Sequence, residues 1–355
     1  MKTQIQLIRH LVPFMVCLAA VTPKVYGQNA ALLNGDPGIA AIANRAENAK
    51  LKQAIVQCLN GKIDEGLETV NEMVNSKNQD ATFVLGKLIM AGFDKSRTPK
   101  NGLELLEKNA DAGHALSILS VGQFKEKTEP ALALNFYQQA AEEGEALAHL
   151  KLADIAEKGL LGTRPNAELA LTHYRIASKS GNSIGDFHLA RCVDKGIGTS
   201  PNTIESTRLY RKAAMAGVAN ANTIMAQRYF EGQGVEKDPV AAIGWLIRGV
   251  KAGSSEAMVL LGRQYESGLL IGQDINVAGQ MYSSAAKLKD PQGKFRLALL
   301  YLNGIGTAAD PVRAFVLLHD AQAIPEAKKI YDKLSEELST EQLEFAQKKI
   351  EEAKK

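Results

Sequence analysis

The sequence predicts an all-α protein, an α/α solenoid of stacked helical hairpins. Three observations support this fold class. A pattern of small and apolar residues recurs about every 36 residues, each period contains two apolar stripes with helical spacing, and glycines follow the first stripe. A single hairpin leaves one apolar side uncovered, so it needs neighbouring hairpins on which to pack. We therefore expect about seven hairpins with a cap at each end.

The clearest period runs from Ala221 to Gly253. Its first helix is predicted to end at Gly232, because glycine readily adopts the positive φ that a helix end often requires. Asp238 can cap the second helix, and Pro239 suits the first helical position, where no N–H is needed. This second helix is predicted to bury Ala242, Trp245 and Gly249.

The same pattern begins seven times along the chain. The starting residues are Ala81, Ala115, Ala148, Gly185, Ala221, Ala257 and Gly293. The steps between them are 34, 33, 37, 36, 36 and 36 residues, and chance matches would not keep so regular a register.

The repeat resembles the Sel1-like repeat family, helical relatives of tetratricopeptide repeats with the pattern A-x₃-LG-x₂-Y-x₂-G-x-GV-x₂-D. The period from Ala221 matches this pattern almost throughout, including Gly234, Val235 and Asp238. The resemblance covers residues 79–325. It implies a right-handed superhelix and a protein–protein scaffold, and it points to no particular chemistry.

The two ends differ from the repeats. Lys2 and Arg9 precede an apolar run over residues 11–21, and small residues stand before Gln28, so residues 1–27 predict a secretory signal peptide cleaved near Gly27. The run is too short to span a bilayer, and no later stretch is long enough. Residues 28–78 are predicted as a leader and an N-terminal capping hairpin, and 326–355 as C-terminal capping helices. Ser339 and Gln342 form a predicted capping box.

The charge balance argues against nucleic acid and anionic lipid as partners. Removing residues 1–27 takes away three of the 42 Lys and Arg and none of the 39 Asp and Glu, so 39 basic residues balance 39 acidic ones. The mature chain therefore has no net positive charge to attract a polyanion.

The sequence offers few residues for chemistry. Cys58 and Cys192 are predicted to be buried free thiols, and no histidine lies at a metal-ligand spacing, so we expect no metal and no cofactor. The nucleophile–lysine spacing of serine β-lactamases and penicillin-binding proteins occurs at Ser284 and Lys287, but none of their other motifs accompanies it. Packing accounts for this stretch better than catalysis does.

The family resemblance places certain first-helix positions on a concave face that binds proteins or peptides. Ordinary packing and solvated charge are the alternative interpretation for any single residue. The predicted binding residues are Phe187, Arg191, Asp194, Gln227, Phe230, Glu231, Arg263, Glu266 and Leu302.

These observations predict an exported, non-enzymatic interaction scaffold, periplasmic or secreted, acting in the bacterial cell envelope. Envelope proteins and peptidoglycan are the candidate partners. Two alternatives stay open. One is a β-lactam- or peptidoglycan-directed hydrolase or binding protein centred on Ser284. The other is a secreted factor or a periplasmic regulator of a signalling receptor.

Overall fold

The computed structural model describes residues 36–43 and 49–354, which form nineteen α-helices and no β-strand. The prediction of an all-α helical-repeat fold is confirmed. These residues divide into two compact units, an N-terminal unit that ends at Asn202 and a C-terminal unit that begins at Thr203. The predicted signal peptide and the leader up to residue 35 lie outside the described residues.

Ten helices of the described residues belong to the N-terminal unit. They are α1 (Pro37–Ala43), α2 (Ala49–Leu59), α3 (Ile63–Asn75), α4 (Gln79–Met90), α5 (Pro99–Asp111), α6 (Ala115–Lys125), α7 (Pro130–Glu142), α8 (Ala146–Lys158), α9 (Ala167–Lys179) and α10 (Ser183–Lys195). Four hairpins pair α2 with α3, α4 with α5, α6 with α7 and α8 with α9. Each hairpin also packs against the next one, as stacked repeats require.

The C-terminal unit contains the other nine described helices. They are α11 (Thr203–Met215), α12 (Ala219–Glu231), α13 (Pro239–Lys251), α14 (Ser255–Ser267), α15 (Ile275–Lys287), α16 (Pro291–Asn303), α17 (Pro311–His319), α18 (Pro325–Glu337) and α19 (Thr340–Lys354). Helices α12, α14 and α16 are the first helices of three hairpins and also contact one another in that order.

The predicted helix ends are confirmed in the C-terminal unit. Gly232 ends α12 with a φ of +76°. The Asp238 carboxylate accepts backbone N–H bonds at the start of α13. At the start of α19, the Ser339 N–H donates to Gln342 Oε1 over 3.0 Å, and the Gln342 N–H donates to Ser339 Oγ over 3.3 Å. This reciprocal pair is the predicted capping box.

The prediction that Trp245 is buried was wrong. The indole is half-buried, stacks on Tyr229 with ring centres 6.5 Å apart, and has the Arg248 guanidinium 5.0 Å from its own ring centre. Leu246, the next residue, is the one that α13 buries completely. Five second helices carry two adjacent large apolar or aromatic residues at this position, as α13 does with Trp245 and Leu246. The second residue of each pair is buried in the core. These buried second members are Tyr137, Tyr210, Leu246, Tyr282 and Leu318.

Both cysteines of the described residues are free and buried, as predicted for Cys58 and Cys192. Burial raises the pKa of each thiol to about 11, so both stay protonated at neutral pH. In the part of the chain that the structure describes, no helix is long and apolar enough to cross a membrane.

Two turn glycines of the C-terminal unit allow a matched test of backbone constraint. Both have positive φ, +68° at Gly234 and +92° at Gly217. A Cβ at Gly234 would lie 2.4 Å from Thr207 Oγ1 and 2.9 Å from the Thr203 carbonyl oxygen, whereas nothing lies within 4 Å of one at Gly217. We expect Gly217→Ala to lower the free energy of unfolding by about 1 kcal/mol, and Gly234→Ala by about 2–3 kcal/mol.

Urea unfolding followed by the fluorescence of Trp245, the one tryptophan of the chain, measures both variants in the same unit. If both variants lower the free energy of unfolding equally, the close contact of the Gly234 turn with α11 adds no further constraint.

Candidate functional site

A buried tyrosine on the second helix of three hairpins donates a hydrogen bond to a glutamate at the end of the first helix. The Oη–Oε2 distances are 2.9 Å for Tyr137–Glu126, 2.9 Å for Tyr174–Glu157 and 2.6 Å for Tyr282–Glu266. Burial raises the pKa of all three hydroxyls, and the neighbouring carboxylates raise it further. The tyrosines therefore remain protonated donors at neutral pH.

Each of these glutamates also meets a cation from the helix that follows its hairpin. Lys151 Nζ lies 3.0 Å from Glu126 Oε1, Arg191 pairs with Glu157, and Arg296 Nη1 lies 3.9 Å from Glu266 Oε2. We call each set a Tyr–Glu–cation triad. A triad links the two helices of one hairpin to the helix that follows.

The tyrosine ring needs space on the first helix, and in two triads a glycine provides it. A Cβ at Gly122 would lie 2.8 Å from Tyr137 Cε1, and one at Gly262 would lie 2.6 Å from Tyr282 Cε1. No side chain fits at these distances without displacing the ring. Glycine here serves close approach of helix and ring, not a special backbone angle.

The N-terminal unit holds three of the predicted binding residues, all on α10. Arg191 belongs to a triad, so its charge is already compensated by Glu157. Burial by itself would raise the pKa of Glu157, but the hydrogen bonds from Arg191 and Tyr174 lower it. Phe187 is half-buried and packs edge-on against the neighbouring His188, with ring centres 5.4 Å apart, and Asp194 is half-buried.

In the C-terminal unit, five of the predicted residues line one depression of about 520 Å³. They are Gln227, Phe230, Glu231, Arg263 and Glu266, and the same depression is also lined by Leu260, Gln264, Ser267, Leu269 and Arg296. A second depression of about 510 Å³ shares Leu260, Arg263 and Arg296 and adds Phe295. Together these two depressions form what we call the first-helix groove, since their walls come mainly from α12, α14 and α16. The remaining predicted residue, Leu302, lines neither depression and packs against the core around Ala298 and Phe315.

Most acidic groups along the first-helix groove already have a partner. Glu266 accepts the Tyr282 hydroxyl, and Glu256 accepts a hydrogen bond from Gln227 Nε2 over 3.3 Å. Asp290 caps α16 and accepts the Ser255 hydroxyl over 2.7 Å.

Arg263 differs from these groups. It is exposed, lies in the wall common to both depressions, and has no carboxylate within ion-pair distance among the described residues. It is therefore a cation that can bind an external anion.

Leu260 and Arg296 line both depressions of the groove but were not among the predicted binding residues. Leu260 stands three residues before the predicted Arg263, about one turn earlier on α14. A side chain on a helix leans toward the N-terminal turn, so a groove wall extends beyond the strict pattern positions. This tilt of helical side chains could have predicted the additional wall residues from the sequence.

Ser284 and Lys287 lie along a separate groove of about 620 Å³ between α15 and α16. Among the described residues, no hydrogen bond joins the Ser284 hydroxyl to Lys287 or to another general base.

The repeat is matched by a family profile described as the Sel1 repeat. The matched segments are residues 117–145, 146–182, 184–218, 219–254, 255–290 and 291–321, more than half of the chain. The chain belongs to the Sel1 repeat family. The α4–α5 hairpin precedes the matched segments and has the same two-helix form. Such repeats form a scaffold suited to protein–protein interaction.

Three similar proteins illustrate the relationship. The crystal structure of a Sel1 repeat protein from Oxalobacter formigenes has a TM-score of 0.60 and 26% identity, covering 68% of this chain and 96% of that one. Chitin synthase regulatory factor 3 of Schizosaccharomyces pombe is 27% identical over 164 residues, 44% of this chain and 18% of that protein. Protein sel-1 homolog 2 of Rattus norvegicus is 28% identical over 127 residues, 34% of this chain. The last two matches each span 18% of the relative's own length.

The triads make a testable contribution to stability. Tyr282→Phe removes the hydroxyl that donates to Glu266. We expect this change to lower the free energy of unfolding by about 1.5–3 kcal/mol, because the acceptor is charged and half-buried. Tyr331→Phe is the matched control in the same unit, since the Tyr331 hydroxyl makes no hydrogen bond among the described residues and its ring stacks on Phe315. Urea unfolding followed by Trp245 fluorescence compares the two. A cost for Tyr331→Phe as large as that for Tyr282→Phe would contradict this role for the triad.

Proposed function

We propose that this protein is an exported, non-enzymatic scaffold that binds a segment of a partner protein in the first-helix groove. The observation that carries the proposal is the position of Arg263. This exposed arginine stands between two depressions, one with Phe230 in its wall and the other with Phe295. A cation flanked by aromatic side chains in an open groove suits a peptide better than a small molecule.

The groove suggests the chemistry of the bound segment. Arg263 would pair with an acidic side chain of the partner, because an arginine binds a carboxylate through two parallel hydrogen bonds. The half-buried Phe230 and Phe295 would contact apolar side chains on either side of that acid. The expected ligand is therefore an acidic residue flanked by apolar ones, and we expect Glu231 to disfavour a second acid near Phe230.

The site of action is proposed from residues 1–27. Their basic start, apolar run and small residues before Gln28 support secretion, and the similar structure from Oxalobacter formigenes supports a bacterial setting. We place the scaffold in the cell envelope, with envelope proteins or peptidoglycan as partners. Release into the medium would favour the secreted-factor alternative, and capture of a sensor domain would favour the receptor-regulator alternative.

Site-specific photo-cross-linking identifies the bound segment. A photoreactive residue replaces the exposed Glu231 in the full chain, expressed in its own host, and the same residue at Lys251 of α13 serves as the control. We expect a discrete cross-linked peptide from position 231 alone, containing an acid flanked by apolar residues. Equal cross-linking from both positions would exclude the first-helix groove as the binding surface.

The identified peptide, made synthetically, then tests Arg263 directly. Arg263→Glu reverses the charge facing the peptide, and we expect its affinity to fall by at least about tenfold, the equivalent of one lost charge-assisted hydrogen bond. Lys251→Glu makes the same charge change away from the groove and should leave the affinity unchanged. If the two variants bind equally well, Arg263 does not contact the ligand.

Export has its own test. N-terminal sequencing of the protein from a periplasmic fraction should begin at Gln28, because cleavage follows Gly27 in the predicted signal. Gly27→Arg should block cleavage and leave the full-length chain, since the position before the cut requires a small residue. A cytoplasmic protein that retains Met1 would refute export.

A further inference from the structure

Two histidines face each other across the α8–α9 hairpin of the N-terminal unit. His149 Nδ1 and His173 Nδ1 are 3.1 Å apart, and the ring centres are 5.3 Å apart. The residues are 24 positions apart in sequence, and both are half-buried. The proposed binding groove involves neither of them, since it lies in the other unit.

The contact has two chemical interpretations. Two neutral imidazoles can share one hydrogen bond, in which one Nδ1 carries the proton and the other accepts it. Alternatively, both Nδ1 atoms are unprotonated and bind one metal ion. Ligand nitrogens about 2.0–2.1 Å from an ion lie roughly 2.9 Å apart at a right angle and about 3.4 Å apart at the tetrahedral angle. The separation of 3.1 Å falls between these limits, as expected for two nitrogen ligands of one metal ion.

We propose that His149 and His173 form a two-imidazole site for a divalent late transition-metal ion, with Cu²⁺ bound most tightly. Imidazole suits copper, nickel and zinc, and affinity rises to Cu²⁺ along the first-row series. Within the described residues, no group of three or more His, Cys, Asp and Glu side chains is placed to hold one ion. Water molecules therefore complete the coordination, and two nitrogens with oxygens suit the square-planar preference of Cu²⁺.

The surroundings keep both imidazoles in their neutral form. Burial lowers the pKa of His149 and of His173, and the neighbouring ring lowers that of His173 further. Both imidazoles are consequently neutral at neutral pH, which is the form that binds metals. Because the ligands come from both helices, a bound ion would cross-link α8 to α9 and stabilise their hairpin.

The test is a titration of the metal-free, untagged full chain with CuCl₂, followed by electron paramagnetic resonance and by thermal unfolding. We expect one equivalent of Cu²⁺ with hyperfine coupling to two imidazole nitrogens and a rise in unfolding temperature. His173→Gln and His149→Gln should each lower the affinity at least about tenfold and abolish the two-nitrogen signal, because each removes one ligand.

His319→Gln is the control, since His319 is a half-buried histidine of the other unit whose Nδ1 lies 2.9 Å from an Asp320 oxygen. This variant should bind as the parent does. Circular dichroism of each variant without metal establishes that it folds. Unchanged binding in both pair variants, or an equal loss in His319→Gln, would overturn the proposal. Either result would mean that the two histidines only share a hydrogen bond with each other.

Discussion

The packing of a second-helix tyrosine against a first-helix glycine is the contact from which much of this fold follows. The ring can approach because Gly122 and Gly262 have no side chain, and its hydroxyl then reaches a glutamate at the end of that helix. A carboxylate held in this half-buried position needs a positive neighbour, and the next hairpin supplies it. In these two hairpins, one set of contacts thus joins both helices to each other and to the next hairpin. Exposed ion pairs contribute little to stability, but hydrogen bonds to a charged, partly buried acceptor contribute more.

The triads also decide which charges of the first helices remain available to a partner. Glu266 lies in the groove, yet its carboxylate is engaged by Tyr282 and approached by Arg296. Arg263 stands on the same helix, one turn earlier, and has no such role. A face that looks uniformly charged in sequence therefore divides into charges that hold the hairpins together and charges that face outward. The balanced net charge of the predicted mature chain conceals this division.

The sequence predicted those features that depend on residues close together in the chain. Glycine and aspartate signals located the helix ends, and the 36-residue step located the hairpins. Features that join distant residues were missed. The pairing of Arg191 with Glu157, 34 residues earlier, was not predicted. Trp245 was predicted to be buried with Ala242 and Gly249, but the register of α13 turns Leu246 inward instead. The pairing of His149 with His173 arises only when two helices are folded back on each other.

This division determines which substitutions can reveal function. Changing Glu266 or Arg296 would disturb a triad and the groove together, so a loss of binding could not be separated from a loss of packing. Arg263 and Glu231 are exposed and make no contact that the hairpins require. A binding defect at these two positions would report on the partner alone. In a protein made of repeated packing contacts, the informative residues are those that the packing does not use, and only the folded arrangement of the triads distinguishes them.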